Sequence, residues 1–534
     1  MTKRKLRKKL ESRFGKKPQL KYYDGDLDYI RSYYDYRSNK KLDEFLIDDI
    51  TWNDLDLDKV FKRINTGLST SGEQYLYYQL RNPAIDKPAF ERRNKLIELM
   101  ESSPDLRLDL QIILHKLGRA RRADLCSAFM PEEHGLCWLV VYVLLALMVP
   151  ILLVYAAVFK SMLSIVLCLF AVSWNTFFRE YRRKKCQDDF DTVNYTVAMV
   201  FALNRITKLK NAELDRQLSD AYKNLEALRP VLRTGGISAI RNSELGELLS
   251  AVLLLDLISY EFLKNKLGRF HSQVFAVHES LGMIDASIAA ASYRRSLDAY
   301  AVPEIDFSSS KPFIRADGMT HPLLANAVSN DLHTEISVLI TGSNASGKST
   351  FLKTTALCAL LAQSVCTVTA ASYSASAFRI YSSMAISDDL LAGESYYIAE
   401  TKSLKRILDN IDESTPVLCT IDEVLRGTNT VERIAASSTI LEVIASKNVL
   451  CLAATHDIEL CGLLSDRFAL CHFEDKVGES EMIFDYKLRQ GKATSRNAIN
   501  LLRLMGFDEI IVSNAHSRAN DYMSSGKWTK GQKC

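Results

Sequence analysis

No C-x-x-C pair occurs in this sequence. Its eleven cysteines are scattered, and Cys358, Cys366, Cys419 and Cys451 lie in apolar runs. That disfavours zinc and disulfides and suits reduced, buried thiols in a cytosolic domain. No apolar core follows the basic residues of the first stretch, which excludes a secretory signal there. Cys534 is not placed for a prenylation box. Neither sign of charge is in excess. Lys and Arg number 68 against 64 Asp and Glu, so a net +4 over 534 residues names no partner. Residues 187–300 hold no zinc spacing, nucleophile elbow or repeat period. Two stretches lack charge altogether, 135–159 and 162–178.

Those uncharged stretches each approach the roughly 20 residues a bilayer helix needs. Trp138 and Trp174 stand near the ends away from the short turn, where interfacial aromatics are favoured. Pro150 is tolerated in such a helix. Lys116, Arg119, Arg121 and Arg122 precede the pair; Arg179, Arg182, Arg183, Lys184 and Lys185 follow it; only Lys160 lies between. The asymmetry keeps both flanks in the cytoplasm. A transmembrane helical hairpin over 135–178 is expected, with the N-terminus, helical core and C-terminal domain cytoplasmic. A buried core hairpin is the competing reading.

The other segments follow from pattern. Residues 1–50 form a basic lead-in, partly disordered. Lys3, Arg4, Lys5, Arg7, Lys8, Lys9, Arg13, Lys16 and Lys17 are offset only by Glu11. Such a run touches nucleic acid or anionic lipid, or is a solvated tail. Residues 51–134 and 179–302 are helix-patterned, with long helices expected over 245–267 and 270–300. From 303 to 515 short apolar runs (338–340, 367–370, 417–421, 449–453) alternate with helices, predicting an α/β domain with a largely parallel sheet. Residues 516–534 read as a disordered tail. The fold class is multidomain: an all-α helical core with a two-helix transmembrane hairpin, then an α/β P-loop domain.

Residues 338–350 read Val-Leu-Ile-Thr-Gly-Ser-Asn-Ala-Ser-Gly-Lys-Ser-Thr. An apolar strand, a G-x-x-x-x-G-K-S loop and a helix start follow in the order a P-loop requires. Gly342, Ser343, Asn344, Ala345, Ser346 and Gly347 would cradle phosphates through backbone N–H groups, aided by the helix N-terminus at Thr350. Lys348 would reach the β- and γ-phosphates and Ser349 would ligate Mg²⁺, so the expected ligands are ATP and Mg²⁺. A second apolar strand ends in Asp422-Glu423. Asp422 would hold Mg²⁺ and Glu423 would polarise the attacking water. A third strand ends at His456, placed to sense the γ-phosphate or that water. Lys348, Glu423 and His456 are the candidate catalytic groups.

These motifs resemble the ATPase domain of the MutS DNA mismatch-repair family, within the ABC-type ATPases. The matching stretches are 341–350, Ser-Asp-Asp-Leu-Leu-Ala-Gly-Glu-Ser-Tyr-Tyr-Ile-Ala-Glu at 387–400, Asp-Glu-Val-Leu-Arg-Gly-Thr-Asn-Thr at 422–430, and Ala-Thr-His at 454–456. His321-Pro322 and residues 491–502 also match, and 65–83 and 281–303 match the helical core more weakly. The resemblance implies a homodimer with composite sites, in which Ser395 contacts nucleotide in trans, and it implies DNA as a partner. Asn344 matches the family's P-loop asparagine, while Ser343, Ala345 and Ser346 depart from its commonest form. No Phe-x-Glu reading motif precedes the core, no clamp domain is evident, and the hairpin is foreign to the repair enzymes. A divergent, membrane-spanning member lacking the mismatch-recognition domain is therefore expected. The alternatives are an ABC-like mechanochemical or signalling ATPase at the membrane that does not bind DNA, and a structural anchor with nucleotide as a regulatory ligand.

Overall fold

The computed structural model describes residues 2–120, 125–128, 137–234, 244–309, 311–343, 345–384, 396–412, 414–426, 428–477, 482–492, 499, 502–503, 505–526 and 528. The chain forms two compact units. A helical unit holds Met1–Glu44, Ile64–Gln79 and Arg92–Ser296; an α/β unit holds Phe45–Arg63, Leu80–Glu91 and Leu297–Cys534. Segments 45–63 and 80–91 thus group with the α/β part, although their helical pattern reads as core.

In the helical unit the lead-in is more ordered than its composition suggests. Lys3–Arg13 is a helix. Leu6 and Leu10, one turn apart, pack on Leu108 and Ile112 of helix Pro104–Leu117. Arg7 pairs with Asp105 at 2.6 Å. The remaining cations face outward. Helix Asp26–Asn39 buries Tyr33, whose hydroxyl donates to Glu279 at 2.7 Å.

Glu279 belongs to helix His271–Arg295, the spine of this unit. Asp285 on that helix accepts from Leu68 N (2.9 Å), Ser69 N (2.9 Å) and Ser69 Oγ (2.6 Å). It thereby supplies acceptors where helix Thr70–Arg81 begins, a job usually done by a local cap. Gly282 permits this closeness, since a Cβ there would meet Tyr75 Cβ at 2.5 Å and Ser71 O at 2.7 Å. The helix expected over 245–267 is two, Glu244–Leu253 and Leu255–Arg269, because Leu254 turns left-handed (φ 50°).

Helices Cys137–Phe159 and Met162–Lys185 form an antiparallel pair joined at Lys160 (φ 50°). At about 1.5 Å per residue the first is roughly 35 Å long. Among the described residues three helices are long and apolar enough to cross a membrane: these two and His271–Arg295. The last is 83% buried within the protein over its apolar window; the hairpin helices are 17% and 28% buried. Its polar groups lie towards the charged end. Asn175 donates to Leu145 O (3.1 Å) and Val252 O (2.9 Å), and Arg179 pairs with buried Asp256 at 2.8 Å.

Among the described residues the α/β unit has ten strands: β1 Glu304–Asp306, β2 Ile314–Met319, β3 Asn330–Thr334, β4 Ser337–Thr341, β5 Ser372–Ser376, β6 Arg379–Ser383, β7 Val417–Asp422, β8 Val449–Thr455, β9 Phe468–Val477 and β10 Met482–Gln490. One sheet runs β1-β5-β2-β3; the other runs β10-β9-β4-β8-β7-β6. In the second sheet all pairs are parallel except β9–β10. The apolar run 367–370 is not a strand. Val368 makes an isolated bridge to Ala301, and the strand starts after it, at Ser372. The polar tail from His516 continues helix Glu509–Ser525.

Strand β6 lies at the sheet edge, where unpaired backbone needs cover. Helix Asp49–Asp54 provides it. Thr51 Oγ1 accepts from Ser382 N (3.2 Å), and Asp54 accepts from Ser382 Oγ (2.7 Å) and Met384 N (3.0 Å).

Candidate nucleotide-binding site

Strand order explains how distant motifs meet. β4, β8 and β7 are adjacent and parallel, so the segments leaving their C-terminal ends lie side by side. They carry the Gly342–Lys348 loop, His456 and Asp422-Glu423. A cavity of about 630 Å³ opens there. Its lining includes Ala345 to Phe351, Asp422, Glu423 and Arg426, with His321, Leu324, Phe473 and Tyr486 as further walls.

The loop is held by contact as well as by sequence. Gly342 sits at φ 148°, and a Cβ there would lie 2.8 Å from Phe473 O. Ala345 is left-handed too, at φ 64°. Helix Lys348–Val365 starts directly after Gly347. Lys348 Nζ donates to Gly342 O and Ser343 O, both at 2.8 Å. Burial lowers the Lys348 pKa to about 8, against the opposing pull of Glu423 and Asp422. An amine held back on its own loop, half-desolvated beside two carboxylates, is poised for a polyanion.

Asp422 is buried, and among the described residues its Oδ1 finds no hydrogen-bond partner, nor do the buried Ser343 Oγ and Ser346 Oγ. Orphaned buried oxygens are rare in native proteins and point to an ion or ligand. Ser349 and Thr350 are exposed at the helix start. Among the described residues no group of three His, Cys, Asp or Glu side chains could hold a metal alone. Mg²⁺ shared between Asp422, Ser349, water and phosphate oxygens fits that donor set.

Glu423 is engaged on both oxygens. His456 Nε2 lies 2.6 Å from Oε1 and Arg426 Nε 2.5 Å from Oε2. Burial would raise the Glu423 pKa, but His456, Arg426 and Lys348 outweigh it and hold the carboxyl below its usual range. Lys348 Nζ also approaches His456 Nε2, at 3.4 Å. One ring nitrogen cannot donate and accept together, and the shorter contact gives its proton to Glu423. Arg433 ties helix Thr430–Ala445 to Asp457, next to His456, through bonds of 2.8 and 2.6 Å.

The structure thus brings together Gly342, Ser343, Ala345, Ser346, Gly347, Lys348, Ser349, Thr350, Asp422, Glu423 and His456. Asn344 and Ser395 lie outside the described residues. The sequence reading assigned no role to Arg426 or Glu400, although both stand in quoted motifs. His321 was noted only as part of a lead-in, and Phe473 and Tyr486 carry no local signal at all.

A family model for MutS domain V matches residues 338–523, the segment from β4 to the last helix. Residues 338–523 are thus similar to domain V of the MutS family. The chain is 33% identical over 181 residues to the DNA mismatch repair protein MutS of Thermus thermophilus, covering 34% of this chain and 22% of that one. MutS of Orientia tsutsugamushi is 33% identical over 204 residues, 36% of this chain and 23% of its own. The Msh3 protein of Dictyostelium discoideum is 29% identical over 257 residues, 43% and 18%. The chain therefore spans less than a quarter of the length of each of these MutS relatives. The match to MutS domain V begins at the strand that leads into the Gly342–Lys348 loop and takes in Asp422, Glu423 and His456.

Proposed function

We propose that the chain is a membrane-anchored MutS-type ATPase that binds and hydrolyses ATP as a dimer with composite sites. The observation that carries this is the meeting of Lys348, Asp422 and Glu423 around one cavity at the ends of three adjacent parallel strands, with His456 2.6 Å from Glu423. Mg²⁺, when bound, neutralises phosphate charge, and Ser349 and Asp422 are the residues to hold it. Lys348 exchanges the Gly342 and Ser343 carbonyls for phosphate oxygens. Glu423 gives up Arg426 to orient the attacking water, and His456 hydrogen-bonds to that water or to the phosphate. Ser395 is the residue supplied in trans.

The membrane anchor rests on the apolar hairpin 137–178, most of whose surface stays exposed, its two helices being 17% and 28% buried over their apolar windows. DNA as a partner rests on the names of the relatives and on the outward cations of the N-terminal helix. An ABC-like mechanochemical or signalling ATPase that never touches DNA is the second reading. It is favoured by the hairpin and by a family-model match that covers residues 338–523 alone.

Glu423→Gln is expected to lower turnover at least about a hundredfold while ATP is still bound. Dimers should then accumulate on ATP. Hydrolysis at the wild-type rate would overturn the assignment. Trapping this variant with ATP in cells and crosslinking shows whether DNA or a membrane protein is captured. Affinity for duplex DNA that falls steeply with salt supports the DNA reading, and no binding at low salt removes it.

A further inference from the structure

After β7 the chain makes an unusual turn. Glu423 (φ 58°) and Leu425 (φ 59°) are both left-handed, and neither is glycine. Side chains disfavour that region, so the surroundings must hold the turn in place. Glu423 N donates to Ala454 O at 3.0 Å, which carries the β7–β8 ladder one residue further. Val424 O accepts from Ser437 Oγ at 3.1 Å. Leu425 N and Arg426 N both donate to Glu400, at 2.5 Å to Oε1 and 3.1 Å to Oε2. Glu400 is itself buried. It comes from helix Tyr396–Asp409, which is fixed near its other end by Arg406 on Asp48 at 2.5 Å and on Ser382 O.

We infer that Glu400 is a positioning residue for hydrolysis, resting on the ATPase reading above. Its two oxygens clamp consecutive backbone N–H groups, and that clamp fixes the turn from which Glu423 and Arg426 both project into the cavity. Burial raises the Glu400 pKa despite these bonds, which marks the clamp as a desolvated one. Glu400 does not reach the cavity lining, so it acts through Glu423. The same contact makes any displacement of helix Tyr396–Asp409 a displacement of the turn.

The test uses the full-length chain in detergent with Mg²⁺ and a fluorescent ATP analogue. Glu400→Gln replaces one acceptor by an NH₂ that faces a backbone N–H. It should keep nucleotide affinity within about twofold and lower kcat about thirtyfold or more, in line with the cost of misplacing a reacting group. Glu400→Asp keeps both oxygens on a shorter stem and should recover part of the loss. In the Glu423→Gln background, Glu400→Gln should add no further loss. A folded Glu400→Gln with wild-type kcat overturns the proposal, as does a parallel fall in affinity and kcat. If Glu400→Gln does not fold, Glu400→Asp with unchanged kcat overturns it equally. If Glu423→Gln itself turns over normally, the catalytic role of Glu423, on which this inference rests, fails. If Glu423→Gln is dead and Glu400→Gln is normal, only the role of Glu400 fails.

Discussion

His278 sits fully buried on the spine helix against the ring of Tyr33, and burial lowers its pKa from 6.5 to about 3. The unfolded chain takes up a proton near pH 6.5 that the folded chain refuses until about pH 3. Stability is therefore lost as pH falls through 6.5, by about 2 kcal/mol at pH 5. His278→Phe should flatten melting temperature against pH between 7.5 and 5; an unchanged acid slope would refute the assignment. Asp285→Ala strips the acceptor from two buried N–H groups and should cost about 3 kcal/mol in denaturant unfolding. The convergence of the candidate site residues was legible because each motif closes a strand, and strand ends converge in a parallel sheet. Glu400 was not readable as a site residue. Its partners are backbone N–H groups 25 and 26 positions away, and backbone leaves no mark in composition. The engagement of Glu423 by Arg426 also depends on a turn that sequence does not display.

Among the elements, the hairpin was the plainest in the sequence, because absence of charge over such lengths survives any detail of packing. Deleting residues 135–178 should move the protein from the membrane fraction to the soluble one; a wild type already soluble after high-speed centrifugation would dismiss the anchor. The N-terminal helix was misread for the opposite reason. Seven cations mask two leucines in that helix, and two leucines suffice when Leu108 and Ile112 await them. Leu6→Asp should detach that helix and raise its hydrogen exchange to coil-like rates, while Lys8→Ala should not. The break at Leu254 and the bridge at Val368 were hidden too, since an apolar run is compatible with helix, strand or turn until its neighbours are known.

For the molecule as a whole, the class was readable: helices first, then an α/β part with the Gly342–Lys348 loop leaving a central strand. What pattern could not give is the sorting of the chain into two units. The chain passes between them five times, at 44/45, 63/64, 79/80, 91/92 and 296/297. Segment 45–63 is amphipathic and helical like the core next to it in sequence, and contacts such as those of Thr51 and Asp54 on β6 and Asp48 on Arg406 show where it belongs. A fragment restricted to residues 303–515 should accordingly aggregate or melt early, and adding residues 45–91 in trans should restore nucleotide binding. A fragment as stable as the full chain would show that the N-terminal segments are dispensable cover.

That interleaving also sets an order of events on the ribosome. Trp52, Leu55 and Leu57 leave the exit tunnel long before β6 exists, and all three end up buried. At about 5–20 residues per second the wait from Arg63 to Leu297 is roughly 10–50 s. Throughout that interval an apolar ridge stands without its sheet while the uncharged hairpin is being made. The nascent chain should therefore be a client of holding chaperones until its last third emerges, and the nucleotide site is the last part of the protein to come into being.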